Sequence, residues 1–265
     1  MILNLDPSHN NVIPTIDLNN TPIIREFFSE KAIGGGNWSI LERMIQRVYM
    51  SFATIKTAVS SLLDFEILWG DNSKLEFLKA IDIGVNQASN TIKLLMLLVL
   101  LKENKTTLNQ ELHLIQEIVS AAYKRVKSDY SEISVKLDLQ DQGDPIFVDY
   151  EYTVTGIELF IEFFGEIGFS NVEIFGKEIK DNWIVLIGGP SENSAIKTLQ
   201  NLLETNANLE NILEFVSADC LLKFLIAHRV LTIQNIRVGW APKDNNQSPK
   251  IVIVIPSHSF TSWVE

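Results

Sequence analysis

A single cysteine, Cys220, excludes an internal disulfide framework and any metal site built on several thiolates. Uninterrupted apolar runs are short: the longest is Leu94 to Leu101, closed off by Lys93 and Lys102. A bilayer crossing needs roughly 20 such residues, so no membrane association is expected. The opening "MILNLDPSHNNVIP" has no basic segment ahead of an apolar one, so no secretion signal is read there and a cytoplasmic location is expected. Positive charge is scarce, and the formal net charge is −11. That excludes a broad nucleic-acid surface, since the nucleic-acid backbone is itself densely anionic. One local stretch, "RMIQRVYMSFATIK", carries Arg43, Arg47 and Lys56 without an acid, as solvated helix faces often do. Histidine is rare too. His9, His113, His228 and His258 are the only four, and residues 38 to 103 hold none.

What is present is a large apolar fraction, 46% of 265 residues, enough for a substantial core. Residues 1 to 37 are rich in Asn and Pro and contain "IGGGN". They read as a loosely packed arm or linker, with one short helix near "TPIIREFFSE". From Leu41 the texture changes. Leu41, Ile45, Val48, Phe52, Ile55, Val59 and Leu62 recur at alternating spacings of 4 and 3. After "WGDNS" the same rhythm returns at Leu78, Ile81, Val85, Ala88, Ile92, Leu95 and Val99. Such a heptad keeps one stripe facing a partner helix, so residues 38 to 105 are expected to form an antiparallel helical hairpin. Pairing two copies through residues 41 to 101 into a four-helix bundle would bury its spare apolar surface. Packing of the hairpin on its own C-terminal region is the alternative.

Residues 106 to 265 mix periodicities. A helix is expected over 110 to 127, strands at "EISVKLDL" and "PIFVD", and a helix at "YTVTGIELFIEFFGEI". Strands follow at "NVEIFGKEI" and "NWIVLIGG", then helices over 194 to 203 and 218 to 231. "NIRVGW" and "KIVIVIP" close the pattern around "KDNNQSPK". Without strict strand–helix alternation, this implies an α+β sandwich with helices on one face of a mixed sheet.

This order of elements over residues 41 to 257 resembles the dimerisation and catalytic domains of sensor histidine kinases. The first helix of that family carries V-S-H-E-L-R-T-P-L-T-S-I, and residues 48 to 59 here read "VYMSFATIKTAV". Thr54, Thr57 and the apolar positions match. Met50 falls on the phospho-acceptor histidine, Ser51 on the neighbouring acid and Ile55 on the proline. With Val48 and Phe52 in the heptad seam, Met50 points outward, yet a thioether cannot accept a phosphoryl group. An ordinary gap-filling methionine is the plainer reading of the same residue.

The resemblance places Glu158 and Glu162 where the nucleotide-binding helix of the family has two asparagines. Either acid adds negative charge beside a polyphosphate, although a carboxylate can also hold Mg²⁺. Two core-helix glutamates, or a match of Glu158 to the general base of gyrase-like ATPases, are the other readings. Ile187, Gly188, Gly189 and Pro190 stand where D-x-G-x-G should anchor adenine, so the carboxylate is missing. "SADCLLKFL" stands where a glycine-rich phosphate loop should be, and Asp219 there would repel phosphate. No catalytic residue, metal site or cofactor is therefore expected, and the resemblance implies a degenerate kinase-like adaptor. Its partner-binding face would be Met50, Ser51, Thr54, Lys56 and Ala58, and its partner a response-regulator receiver domain. A histidine-phosphotransfer-like protein and a small-molecule binder using the vestigial pocket are the alternatives.

Overall fold

The computed structural model describes residues 2–5, 12–28, 36–64, 71–102, 107–129, 133–141, 143–190, 202, 212–241 and 250–257. Two long helices, α2 (Gly36–Asp64) and α3 (Asp71–Lys102), form a hairpin. An α/β sandwich follows, so the expected order of hairpin and sandwich is what the structure has. The sandwich runs β3 (Gln110–His113), α4 (Ile115–Asp129), β4 (Ser134–Leu139), β5 (Ile146–Asp149) and α5 (Tyr150–Glu166). Then come β6 (Asn171–Glu178), β7 (Asn182–Gly188), α6 (Ala218–Thr232), β8 (Arg237–Ala241) and β9 (Lys250–Pro256). Apart from Leu202 and Lys250, the expected helix over 194 to 203 and the turn "KDNNQSPK" lie outside the described residues. The expected helix over 110 to 127 needs correction. Residues 110–113 are extended and pair with β5, and the helix starts at Ile115.

The N-terminal arm is a larger correction. It is not a loose linker. β1 (Ile2–Leu5) pairs with β2 (Val12–Asp17), and β2 pairs with β8, Ile16 opposite Trp240. These strands extend one mixed sheet of order β1-β2-β8-β9-β7-β6-β4, in which only β4–β6 is parallel. A 3₁₀ turn (Leu18–Asn20) and α1 (Pro22–Phe28) follow, and Leu18, Ile23, Ile24 and Phe27 are buried. Pro22 suits the first helical position, because its missing N–H has no intrahelical acceptor to lose. The arm, the sandwich and the base of the hairpin share one core, which includes Phe27, Ile40, Met44, Leu98, Leu101, Phe224 and Trp240. β7 and β9 read as unbroken apolar runs because both their faces are covered. Ile184, Leu186, Val252 and Val254 are buried on the face away from the main core.

Within the hairpin the heptad splits in two. The seam between α2 and α3 is built on Met44, Ser51, Ile55 and Ala58 against Ile81, Gly84, Ala88, Thr91 and Leu98. Small residues let the helices approach closely: a Cβ on Gly84 would lie 2.8 Å from Ile55 Cγ1 and 3.3 Å from the Ser51 carbonyl oxygen. The other half of the heptad faces outward. Ile45 is 59% exposed and Phe52 54% on α2, with Leu78 at 55% and Val99 at 54% on α3. Val59, Val85 and Ile92 complete this stripe. On α3 a third face, through Leu94, Leu97 and Leu100, looks across a cleft to α4 and α5. Apolar demand on all three sides explains why Ser73–Leu101 is long and apolar enough, by length and composition alone, to cross a membrane.

Candidate functional site

The site lies where the hairpin meets the helical layer of the sandwich. Asp149 starts α5 by accepting the Tyr152 N–H at 3.0 Å, and it also accepts the Asn109 N–H at 2.8 Å. Gln234 beyond α6 accepts the Asp149 N–H at 2.7 Å and donates to the Val230 carbonyl at 2.9 Å, tying the start of α5 to the end of α6. From that anchored start, Glu158, Glu162 and Glu166 recur every four residues along one face of α5.

Lys223 of α6 sits between two of them. Its ammonium is 2.6 Å from Glu162 Oε2 and 2.6 Å from Glu166 Oε1, with Lys223 and Glu162 both buried. Glu158 faces Arg125 at 3.6 Å, and Arg125 also donates to Glu151 at 2.8 Å. Below these charges Phe224 packs on Phe160 and Phe163, with ring centroids 5.9 and 5.1 Å apart. α5 and α6 are thus joined by aromatic packing underneath and by a lysine-centred ion cluster on top.

The start of α6 is occupied as well. Ser217 caps it by accepting the Cys220 N–H at 3.1 Å, and Asp219 in the first turn is ion-paired to Arg47 of α2. An aspartate already complements the positive end of the helix dipole at this terminus. Burial pushes the Asp219 carboxyl above its usual range, and Arg47 opposes that shift. Arg43, one turn before Arg47, donates to the Leu213 carbonyl at 3.0 Å, giving the hairpin a second polar tie to this region. Burial raises the Cys220 thiol well above its normal value, so it stays protonated. A pocket of ≈ 310 Å³ beside Asp219 is lined by Asn86, Gln87 and Thr91 of α3. A larger cleft of ≈ 770 Å³ separates α3 from α4 and α5.

The expected site residues are brought together only in part. Glu158 and Glu162 share one helix face and each is in an ion pair. Met50 is 63% exposed on α2, and Thr54 and Lys56 are exposed near it. Ser51 and Ala58 need correction: both are buried in the seam against α3, so they line no outer face. The Ser51 hydroxyl donates to the Arg47 carbonyl at 3.0 Å, inside its own helix. Ile187 is a fully buried β7 residue opposite Ile251. Gly189 is required by packing, because a Cβ there would collide with the Asn171 carbonyl oxygen. Among the described residues, no group of three or more His, Cys, Asp and Glu side chains is placed to hold a metal ion. Sequence reading missed Lys223 and Glu166. Their signal was three acids at i, i+4, i+8 on an otherwise apolar helix, with one lysine inside the equally apolar "LLKFL".

No protein-family model matches the sequence, and no curated protein matches it. Among solved structures the chain is similar to sensor histidine kinases. The histidine kinase AdeS of Acinetobacter baumannii is 15% identical at a TM-score of 0.49, over 78% of this chain and 94% of its own. The histidine kinase ThkA, solved in complex with the response regulator protein TrrA, is 13% identical at 0.49, over 84% of this chain. Full-length ShkA, solved with AMPPNP, is 11% identical at 0.49, over 81% of this chain. This chain spans 63% of the ThkA chain and 46% of the ShkA chain.

Proposed function

We propose that this protein is a non-catalytic, histidine-kinase-like signalling adaptor that works as a homodimer and binds a protein partner through the outer face of α2. The observation that carries this reading is the exposed stripe of Ile45, Phe52, Val59, Leu78, Val85, Ile92 and Val99. Single exposed apolar residues are ordinary on a protein surface, whereas a stripe in strict heptad register over two helices asks to be covered. A second copy supplies the same stripe by symmetry and closes a four-helix bundle.

Absence of catalysis is supported by the chemistry of the site. Glu162 and Glu166 are both engaged by Lys223, and the start of α6 already carries a carboxylate. The exposed side chain at the acceptor position is a thioether. The partner-binding face of the proposal is Met50, Thr54 and Lys56. By the sequence resemblance its occupant is a response-regulator receiver domain.

Light scattering on the purified chain at micromolar concentration is expected to give twice the monomer mass, and Phe52→Glu with Val85→Glu to give the monomer. A monomeric parent chain would remove the main support, and co-sedimentation with lipid vesicles would assign the stripe to a membrane instead. Incubation with ATP and Mg²⁺ is expected to leave the chain unphosphorylated, including a Met50→His variant. Lys56→Glu is expected to release the captured receiver domain while the dimer persists.

A further inference from the structure

The geometry points to a binding site for a small amphipathic anion in the ≈ 770 Å³ cleft between α3 and the α4–α5 layer. That volume falls within the roughly 300–1,000 Å³ range of small-molecule sites. Its walls differ in kind. α3 contributes Leu94, Leu97 and Leu100, and Leu159 of α5 faces them, so the body of the cleft is apolar.

The charges around it fall into two sets. Arg125 and Lys223 are committed to carboxylates of the sandwich, with contacts to Glu151, Glu158, Glu162 and Glu166. Lys93 of α3 and Lys124 of α4, one from each wall, have no ion-pair partner among the described residues. In a chain of formal charge −11, two ammonium groups unmatched among the described residues, beside a leucine-lined slot, form a local exception. They are complementary to a single negative head carried on an apolar body. A polyphosphate fits poorly, because Glu158 and Glu162 line the same cleft and would repel its further charges. The ligand class is therefore an unbranched monocarboxylate with its tail along Leu97, Leu100 and Leu159. This site is independent of the adaptor reading: its loss leaves the dimer mass unchanged, and loss of the dimer leaves the cleft within one chain.

The test is a calorimetric titration of the full chain with decanoate, with decanol and ATP–Mg²⁺ as the other two probes. One decanoate per chain is expected to bind saturably, at least tenfold more tightly than decanol. The exposed pair Lys93→Glu and Lys124→Glu is expected to weaken it at least tenfold, and so is Leu100→Glu, which puts a negative charge against the ligand's tail from an exposed position. Equal binding of decanol would overturn the assignment of the lysines. Decanoate binding that survives Leu100→Glu would overturn the location. Binding of ATP–Mg²⁺ with none of decanoate would overturn the ligand class.

Discussion

The two ends of the hairpin live under different rules. At its base, Ile40 and Met44 on α2 and Leu94, Leu98 and Leu101 on α3 are buried in the core that also holds the arm and the sandwich. Arg43 and Arg47 add polar ties to Leu213 and Asp219. Toward the tip, Val59, Leu63, Leu75 and Leu78 are exposed, and nothing from the described residues of the sandwich covers them. One pair of helices is thus part of a fixed domain over the first turns of α2 and the last turns of α3, and an exposed surface beyond. The base sets where the hairpin points, and the tip keeps its apolar side chains available to something else.

The largest expected effect tests the ion cluster of the sandwich on which the base rests. Lys223→Met leaves the buried Glu162 and the more exposed Glu166 without their cation, and removing one partner of a buried ion pair costs about 3–5 kcal/mol. Denaturant unfolding of the parent and the variant measures it. Next is the apolar half: Leu98→Ala, at a site 2% exposed, is expected to lower the unfolding free energy by about 2–5 kcal/mol in the same assay.

The arm's contact with α6 should give the base an acid sensitivity that the tip lacks. His228 is buried, neither ring nitrogen has a hydrogen-bond partner among the described residues, and burial lowers its pKa to about 4, with Asp17 raising it and Arg229 lowering it. The unfolded chain takes up that proton near pH 6.5, so the native state is favoured fully above that value and loses the advantage as pH falls toward 4. The loss is about 3 kcal/mol across that window, and His228→Leu is expected to flatten it in a pH series of unfolding curves. Asp219, with its carboxyl pushed upward, acts with the opposite sign. The smallest effect belongs to the tip. Leu63→Ala, 73% exposed, is expected to change the stability of the isolated protomer by under about 0.5 kcal/mol. A larger loss at Leu63 would show that the tip is already packed and would end the contrast.

The sequence made the hairpin and most strands of the sandwich legible because their apolar periodicities are strong. "KIVIVIP" and "NWIVLIGG" could be little else than strands in a covered sheet. It concealed β2, whose Pro14 argues against a strand, and β3, whose "QELH" merges into the helical pattern that follows. The heptad was readable, but its division into an inner and an outer half was not. Ser51, Ala58, Gly84 and Thr91 hold the seam, and small or polar residues carry little weight in an apolar count. At the candidate site the two glutamates of α5 were visible. Lys223 was not, because its partners lie on another helix and the pairing exists only once α5 and α6 pack.

The pairing of Ile16 with Trp240 sets the order in which a growing chain can fold. β2 has to wait, unpaired on that edge, until the hairpin and most of the sandwich that precede β8 in the chain have been made. The hairpin encoded between them needs no such wait. Its own contacts are local, so the two helices can pack on each other while the sheet is still incomplete.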